Sequence, residues 1–276
     1  MRNIRLVLPL VLFACSPLTA GSTTPFQLGD QGGVIVPVVI NDAGPFMVLL
    51  DTGATNTAIT APVAEAIRAT PVATANVISP THASWRTIVV IDSLALGPST
   101  TDLVLASVVP ERSFDRAGAI QGLIGQDVLA TLRFTIDFRR RHVQWHAEKV
   151  PAHGMPLRLS FVDGRFVVDL PQPGETLRLV PDSGAGVLVL FNPERRGPAW
   201  ARHTGRIVEV ETAAGRGTAM EVVLSQLRIG ARTLRDVRAV AIDRPAFHPA
   251  DSDGLLPVHL FERVTFDGPG RMLFLG

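Results

Sequence analysis

The chain is poor in cysteine, tyrosine and long apolar runs, and its charges nearly cancel. It contains one cysteine and no tyrosine. A single cysteine excludes an intrachain disulfide. The 26 basic and 25 acidic residues are interspersed, so the basic stripe typical of nucleic-acid binding is missing. His142 and His146 are not accompanied by a cluster of carboxylates or thiols, so we expect neither a metal site nor an organic cofactor.

The first 20 residues have the pattern of an export signal. Two arginines precede the apolar stretch Leu6 to Phe13, which has the length of a signal-peptide core and is too short to cross a bilayer. Two processing routes stay open. Cleavage could follow the small residues near Ala20, or Cys15 could be lipidated, since Leu12-Phe13-Ala14-Cys15 is similar to the bacterial lipoprotein box. We therefore expect an exported protein that is periplasmic or anchored to a membrane only through a lipid on Cys15.

Most of the remaining chain consists of two copies of one internal sequence repeat. Asp51-Thr52-Gly53 and Asp182-Ser183-Gly184 each follow an apolar run. Each also precedes a segment with two apolar residues and a glycine: Gly122 lies 71 residues after Asp51, and Gly254 lies 72 residues after Asp182. An alternating strand that ends at a Gly turn, predicted at Ile88 to Leu96 and at Glu221 to Ile229, also recurs in the same order, as does a closing strand pair. A duplication of this length predicts two similar lobes.

Alternating apolar residues and turn residues predict a mostly β protein. Only Ala61 to Ala69 has a clear helical pattern, and Asp127 to Leu132 could form a second short helix. Lys149 to Pro156 contains Pro and Gly between the repeats and predicts a linker. The expected organisation is a signal segment 1–20, an N-terminal lobe 27–148, a linker 149–156 and a C-terminal lobe 157–276, in a monomer.

The two acidic loops have the composition that paired acid–base catalysis needs. A glycine two residues after an aspartate permits a sharp turn that places the carboxylate at the loop tip. If the two loops met between the lobes, their carboxylates would share a proton, because two adjacent negative charges cannot both persist. Such a pair can take a proton from water and donate one to a carbonyl oxygen without a covalent intermediate.

At these positions the chain resembles the aspartic peptidases, both the two-lobed pepsin-like enzymes and the retropepsin-like enzymes that dimerise. Leu49 to Ala54 is similar to the retropepsin motif, and Gly122 to Leu129 is similar to the apolar-apolar-Gly-x-Asp-x-Leu element of the family. The resemblance implies two similar β-barrel lobes with a cleft between them, a polypeptide substrate in that cleft, and Asp51 and Asp182 as the catalytic pair. The residues implied as supports of the catalytic loops are Thr52, Gly53, Ser183 and Gly184.

The second repeat departs from the family pattern in two places. It has Pro257-Val258-His259 where the first repeat has Gly-x-Asp, and Pro181 directly precedes Asp182. Without tyrosine, the flap tyrosine of pepsin-like enzymes is missing, as it is in retropepsins. Trp85 is the candidate for the flap tip of the first lobe, and Ala213 to Gly217 occupies the corresponding place in the second.

Two other functions stay open beside an aspartic endopeptidase. A peptide-binding protein of the same fold that has lost catalysis is suggested by the irregular second repeat. An ATPase of the actin and sugar-kinase type also carries Asp-x-Gly loops once per repeated domain, but that fold needs long helices between its strands.

Overall fold

A computed structural model describes residues 22–29, 32–78, 83–115, 117–148, 150, 154–191, 201–212, 215–242 and 252–276. The predicted export signal and Cys15 therefore lie outside the described residues. Within those ranges, no helix combines the length and apolar character that crossing a membrane requires. The described chain is nearly all β-strand, with only two short α-helices and one turn of 3-10 helix.

The first lobe contains eleven described strands and two α-helices. The strands carry runs of β-branched and other apolar residues, such as the largely buried Val-Ile-Val-Pro-Val-Val-Ile of the third strand. In chain order the elements are β1 (Thr23–Pro25), β2 (Gln27–Leu28), β3 (Val34–Ile40), β4 (Ala43–Leu50), β5 (Ala58–Thr60), α1 (Ala61–Ala66), β6 (Thr70–Ile78), β7 (Ala83–Leu96), β8 (Ser99–Val109), β9 (Gly122–Ile124), α2 (Gln126–Leu129), β10 (Arg133–Asp137) and β11 (His142–Trp145).

The second lobe contains ten described strands and the 3-10 turn. In chain order the elements are β12 (Met155–Val162), β13 (Arg165–Gln172), β14 (Glu175–Asp182), β15 (Leu188–Phe191), β16 (Ala201–Thr212), β17 (Gly215–Ile229), β18 (Arg232–Ile242), β19 (Gly254–Pro257), the 3-10 turn (Val258–Leu260), β20 (Arg263–Asp267) and β21 (Met272–Leu275).

The two lobes have the same strand pairing. In the first, β4 pairs in parallel with β9, β9 pairs antiparallel with β5, and β5 pairs in parallel with β8. In the second, the strands β14, β19, β15 and β18 repeat those three pairings in the same order. The duplication read from the sequence is therefore a duplication of topology, and the expected fold of two similar β lobes is confirmed.

The lobes are joined through the closing strands of each repeat. Strand β10 pairs antiparallel with β20, so that Thr135 faces Thr265 at the centre, with 2.8 Å between the two hydroxyl oxygens. Phe134 stacks on Phe266 beside them, with 5.1 Å between the ring centroids. The buried apolar side chains of both lobes form one continuous core across this junction.

The two ends of this strand pair carry reciprocal ion pairs. At one end Arg133 Nε lies 3.0 Å from Asp267 Oδ1. At the other end, the Arg263 Nη2 atom lies 2.8 Å from Asp137 Oδ2. Because each strand contributes one arginine and one aspartate, the register of the pair is fixed by charge as well as by packing.

The helices are shorter than the sequence pattern predicts. Helix α1 ends at Ala66 rather than at Ala69, and α2 begins at Gln126 and ends at Leu129 rather than running to Leu132. Helices of six and four residues cannot form the long layers of an actin or sugar-kinase type ATPase. The described part of the chain therefore excludes that alternative. The predicted linker 149–156 lies partly outside the described residues, and its last two residues begin β12.

Candidate active site

The two Asp loops meet where β4 and β14 end. Asp51 directly follows β4, and Asp182 is the last residue of β14. Both strands are central in their sheets, since each is paired on both sides. A carboxylate at the end of a central, buried strand is held in place by rigid structure rather than by a mobile loop, as catalysis requires.

The two loops hold each other by reciprocal hydrogen bonds. The backbone N–H of Thr52 donates to Ser183 Oγ at 3.1 Å, and the N–H of Ser183 donates to Thr52 Oγ1 at 2.9 Å. Each hydroxyl then donates to a carbonyl of the opposite lobe: Thr52 to Pro181 at 2.8 Å, and Ser183 to Leu50. Both side chains are buried, so these bonds are shielded from water and fix the position of one loop on the other.

Each carboxylate is held by the same pair of backbone donors. Asp51 Oδ1 accepts from the N–H groups of Gly53 and Ala54, both at 3.0 Å. Asp182 Oδ1 accepts from those of Gly184 at 2.7 Å and Ala185 at 3.0 Å. The second oxygen of each carboxyl group is thereby left for the opposite carboxyl group or for a reacting molecule.

The glycine of each loop lies against the carboxylate of the other. A Cβ atom added at Gly53 would stand 2.3 Å from Asp182 Oδ2, and one added at Gly184 would stand 2.9 Å from Asp51 Cγ. No side chain fits at either position, so glycine is required here for close approach. The same approach brings the carboxyl groups of Asp51 and Asp182 within hydrogen-bonding contact of each other.

The two carboxyl groups differ in their electrostatic surroundings. Burial raises the pKa of Asp182, and the negative charge of Asp51 raises it further, to well above its ordinary value. Burial also raises the pKa of Asp51, but the N–H groups of Gly53 and Ala54 and the hydrogen bond to Asp182 act in the opposite direction. The arrangement therefore favours one shared proton, with Asp51 ionised and Asp182 protonated.

In the first lobe, helix α2 braces the Asp51 loop. Gln126 Nε2 donates to the carbonyl of Thr52 at 2.8 Å. The next residue, Asp127, accepts from the backbone N–H and the hydroxyl of Thr57, each at 2.9 Å. Burial raises the pKa of Asp127 despite these bonds. The Asp of the Gly-x-Asp segment thus connects α2 to the chain that leaves the Asp51 loop.

The second lobe replaces this brace by apolar packing. Val258 lies four residues after Gly254, as Gln126 does after Gly122, and is fully buried. The carbonyl of Ser183, which corresponds to that of Thr52, instead accepts from the backbone N–H of Val34 at 3.3 Å. The irregular second repeat therefore keeps its catalytic loop in place with a donor from the first lobe.

Pro181 is accommodated without an edge strand. Proline within a sheet is usually confined to an edge strand, but β14 lies between β13 and β19. Its pairing with β13 ends at Leu179, so Pro181 pairs only with β19. The carbonyl of Pro181 points to Thr52 of the other lobe, and the missing N–H faces the same way, since both backbone groups of a strand residue project to one side.

A long hairpin extends from each lobe at the place of a flap. Strands β6 and β7 form the first, and its turn, 79–82, lies outside the described residues. Trp85 pairs with Asn76 on the arm of this hairpin, and its side chain is 71% exposed. Strands β16 and β17 form the second hairpin, around residues 213–214, which are also outside the described residues. Trp85 thus lies three residues beyond the undescribed turn.

The structure brings together six of the residues singled out in the sequence, namely Asp51, Thr52, Gly53, Asp182, Ser183 and Gly184. It does not place Trp85 among them, and Cys15 lies outside the described residues. Within the described ranges, no group of three or more His, Cys, Asp or Glu side chains is arranged to hold a metal ion.

Sequence reasoning missed three residues that contact or surround the paired loops: Gln126, Thr57 and Arg165. Gln126 and Thr57 make contacts that only the folded chain reveals. Arg165 begins β13, and its positive charge opposes the rise that burial causes in the pKa of Asp51. No motif marked Arg165 in the sequence, because its place opposite Asp182 follows only from the register of β13 with β14.

Comparison with known proteins agrees with this geometry. Residues 36–128 match the sequence model of a family described as Aspartyl protease. The chain is similar in structure to the aspartic proteinase of Irpex lacteus, with a TM-score of 0.54 and 11% identity over 93% of this chain and 97% of that chain. The family match lies within the first lobe, and the similarity in structure shows that the fold extends over both lobes.

A retropepsin-like aspartic protease from Rickettsia conorii is also similar, with a TM-score of 0.32 and 15% identity. That similarity covers 46% of this chain and 93% of the other. No curated protein sequence matches the chain.

Proposed function

We propose that the chain is an aspartic endopeptidase in which Asp51 and Asp182 activate water for hydrolysis of a peptide bond. The family and the fold support aspartic peptidase activity in general. The observation that carries the specific proposal is the reciprocal packing of the two loops, in which each glycine lies against the carboxylate of the other lobe.

The proposed reaction needs only the one proton that the pair shares. Asp51, as the ionised member, takes a proton from water while the water oxygen bonds to the scissile carbonyl carbon. Asp182 donates its proton to the carbonyl oxygen, which gives a tetrahedral diol. The C–N bond then breaks as the nitrogen takes the proton from Asp51, and a diol hydroxyl returns its proton to Asp182.

The proposed substrate is an extended polypeptide lying between the lobes. The hairpins β6–β7 and β16–β17 are antiparallel ribbons that could pair with an extended chain through main-chain hydrogen bonds. The exposed Trp85 on the first of them adds apolar surface to that arm. Its proposed role is contact with the substrate from the flap arm.

The competing function is peptide binding without catalysis, and the replacement of Gln126 and Asp127 by Val258 and His259 is the observation in its favour. Against it, both carboxylates keep identical sets of backbone donors. The bond from Val34 to Ser183 also holds the second loop where the brace is missing.

The test is hydrolysis of a mixed peptide library by the wild type and by Asp51→Asn and Asp182→Asn, with products read by mass spectrometry from acidic to neutral pH. Asp42→Asn, at an exposed turn of the first lobe, is the matched control. We expect the control to cleave normally and both site variants to lose at least about 1,000-fold in kcat/KM, with the fold retained by circular dichroism. Full activity in either site variant, or binding without cleavage by the wild type, would contradict the proposal.

We also propose that the protein is exported, on the pattern of its first 20 residues, and that it acts as a monomer on polypeptides. Fractionation of cells that express the full chain and a Cys15→Ser variant would test the export and the anchoring. Release of only the variant from the membrane fraction would favour lipidation, and retention of both in the cytoplasm would contradict export.

A further inference from the structure

Two equivalent turns reach across the lobe boundary onto the opposite catalytic loop. The turn before β3 brings Gly32 next to Gly186, since a Cβ at Gly32 would lie 3.9 Å from Gly186 Cα. The turn before β13 brings Gly164 next to Thr55, since a Cβ at Gly164 would lie 3.4 Å from Thr55 Cγ2. Gly186 and Thr55 each stand four positions after the aspartate of their own repeat, so the two turns are equivalent.

The residues after the two turn glycines are Gly33 and Arg165, and they differ in charge. Continued to the strand ends, the pairing of β3 with β4 places Gly33 opposite Asp51, and the pairing of β13 with β14 places Arg165 opposite Asp182. Gly33 is buried and has no side chain, whereas Arg165 is only half-buried, so its side chain keeps contact with solvent. At this pair of positions the near symmetry of the two lobes is broken by one positive charge.

The charge of Arg165 acts on the site itself. Burial raises the pKa of Asp51, and the positive charge of Arg165 opposes that rise. Burial lowers the pKa of Arg165 itself, and the charges of Asp163, Asp182 and Asp51 oppose that effect. Charge interactions of this kind extend about 10 Å, which is about three residues of an extended peptide. A substrate with its scissile bond over the carboxyl pair would therefore pass within reach of Arg165.

We propose that Arg165 is a specificity-determining residue that binds the carboxylate of an Asp or Glu side chain in the substrate, within about three residues of the scissile bond and on one side of it. The inference rests on the proposed function, because it concerns the same cleft. A guanidinium carries five donors in a planar fork that matches a carboxylate. Asp163 competes for this charge, but it is an exposed turn residue whose interactions are screened by solvent.

The test compares pairs of peptides with blocked termini that differ only by Glu or Gln at one position near the cleavage site. The terminal blocks leave the side chain as the one source of a carboxylate. We expect kcat/KM of the wild type to favour Glu over Gln by about tenfold at one position. This ratio should fall to about one in Arg165→Gln, persist in part in Arg165→Lys, and reverse in favour of a Lys peptide in Arg165→Glu.

Arg232→Gln is the matched control, because Arg232 also starts a strand directly after a two-residue turn but is exposed at the β17–β18 turn. It should keep the wild-type ratio. An equal Glu-to-Gln ratio in wild type and Arg165→Gln would overturn the inference while leaving the peptidase proposal intact.

If the wild type cleaves no peptide, the peptidase proposal fails, and fluorescence anisotropy of the same labelled pairs tests Arg165 alone. Tighter binding of the Glu peptide that depends on Arg165 would support the inference even then. Equal binding of both peptides would contradict it.

Discussion

The buried carboxyl pair destabilises the folded state, because a carboxyl group that would ionise in water must be kept neutral there. At neutral pH the unfolded chain ionises Asp182 freely, whereas the folded chain disfavours its ionised form, because burial and the charge of Asp51 raise its pKa. A carboxyl group whose pKa is raised by folding stabilises the fold fully below its ordinary pKa of about 3.9. This stabilisation is lost as the pH rises through the raised pKa of the folded state. Stability and catalysis are therefore opposed at this residue.

We predict that Asp182→Asn raises the melting temperature at pH 7 by a few degrees, because asparagine does not have to be neutralised on folding. The gain should shrink as the pH falls and vanish near pH 3, where the aspartate is protonated in both states. Differential scanning calorimetry across this range is the measurement, with Asp42→Asn as the exposed control. A gain that is the same at pH 3 and pH 7 would show that titration of Asp182 is not its cause.

The paired aspartates were predictable from the sequence, but their supports were only partly so. Asp-Thr-Gly and Asp-Ser-Gly recur in register, and the roles of their hydroxyls follow from the family resemblance. The donor from Val34 to Ser183 was not predictable, because it joins residues 149 positions apart through a backbone group that any amino acid would supply. Arg165 was missed because the register that places it opposite Asp182, as Gly33 lies opposite Asp51, is recognised only once the strands are paired.

Among the elements, helix α2 has the most direct effect on the site despite its four residues. Its Gln126 side chain is buried and its Nε2 donates to the Thr52 carbonyl. The Oε1 atom has no hydrogen-bond partner among the described residues. Helix α2 thus holds the Asp51 loop through a single side-chain hydrogen bond, which Gln126 Nε2 donates.

Replacement of Gln126 by Met should separate catalysis from stability. The change removes one hydrogen bond, worth about 1 kcal/mol, but also removes a buried oxygen without a partner, so the free energy of unfolding should change by less than about 1 kcal/mol. The freed catalytic loop should lower kcat by about tenfold with little change in KM. Urea unfolding and steady-state kinetics measure the two effects.

Gln172 provides the control for this prediction. Its amide is satisfied on both sides by the backbone of Arg228, at 2.8 Å and 2.9 Å. Gln172→Met should therefore cost about 2 kcal/mol or more of stability and leave the ratio of kcat to KM near that of the wild type. If the two variants behaved alike, the assigned role of α2 would be wrong.

The extent of the elements was harder to predict than their order. The alternating pattern identified Ile88 to Leu96, but β7 starts at Ala83, because its first residues form a hairpin arm with few buried positions to set a period. The ends of α1 and α2 were misjudged because a short helix ends where tertiary contacts end it, and its propensity has little influence.

At the scale of the whole molecule, the site exists only because two lobes are held in one register. The carboxylates come from different lobes, and β10 and β20 join those lobes through the Thr135–Thr265 centre and the stacked rings of Phe134 and Phe266. Since the apolar core is continuous across this junction, we expect the lobes to unfold together in one calorimetric transition.

Phe266→Ala tests this coupling. Removal of a fully buried ring that stacks across the junction should cost about 3–5 kcal/mol. It should also reduce kcat/KM far below that of Phe161→Ala, because the Phe161 ring is 42% exposed and packs edge-on against Phe166 of its own lobe. Calorimetry of both variants should show one transition, shifted strongly only in Phe266→Ala. Two separate transitions in the wild type would mean that the lobes are independent folding units, and the loss of activity in Phe266→Ala would then require a local cause at the junction.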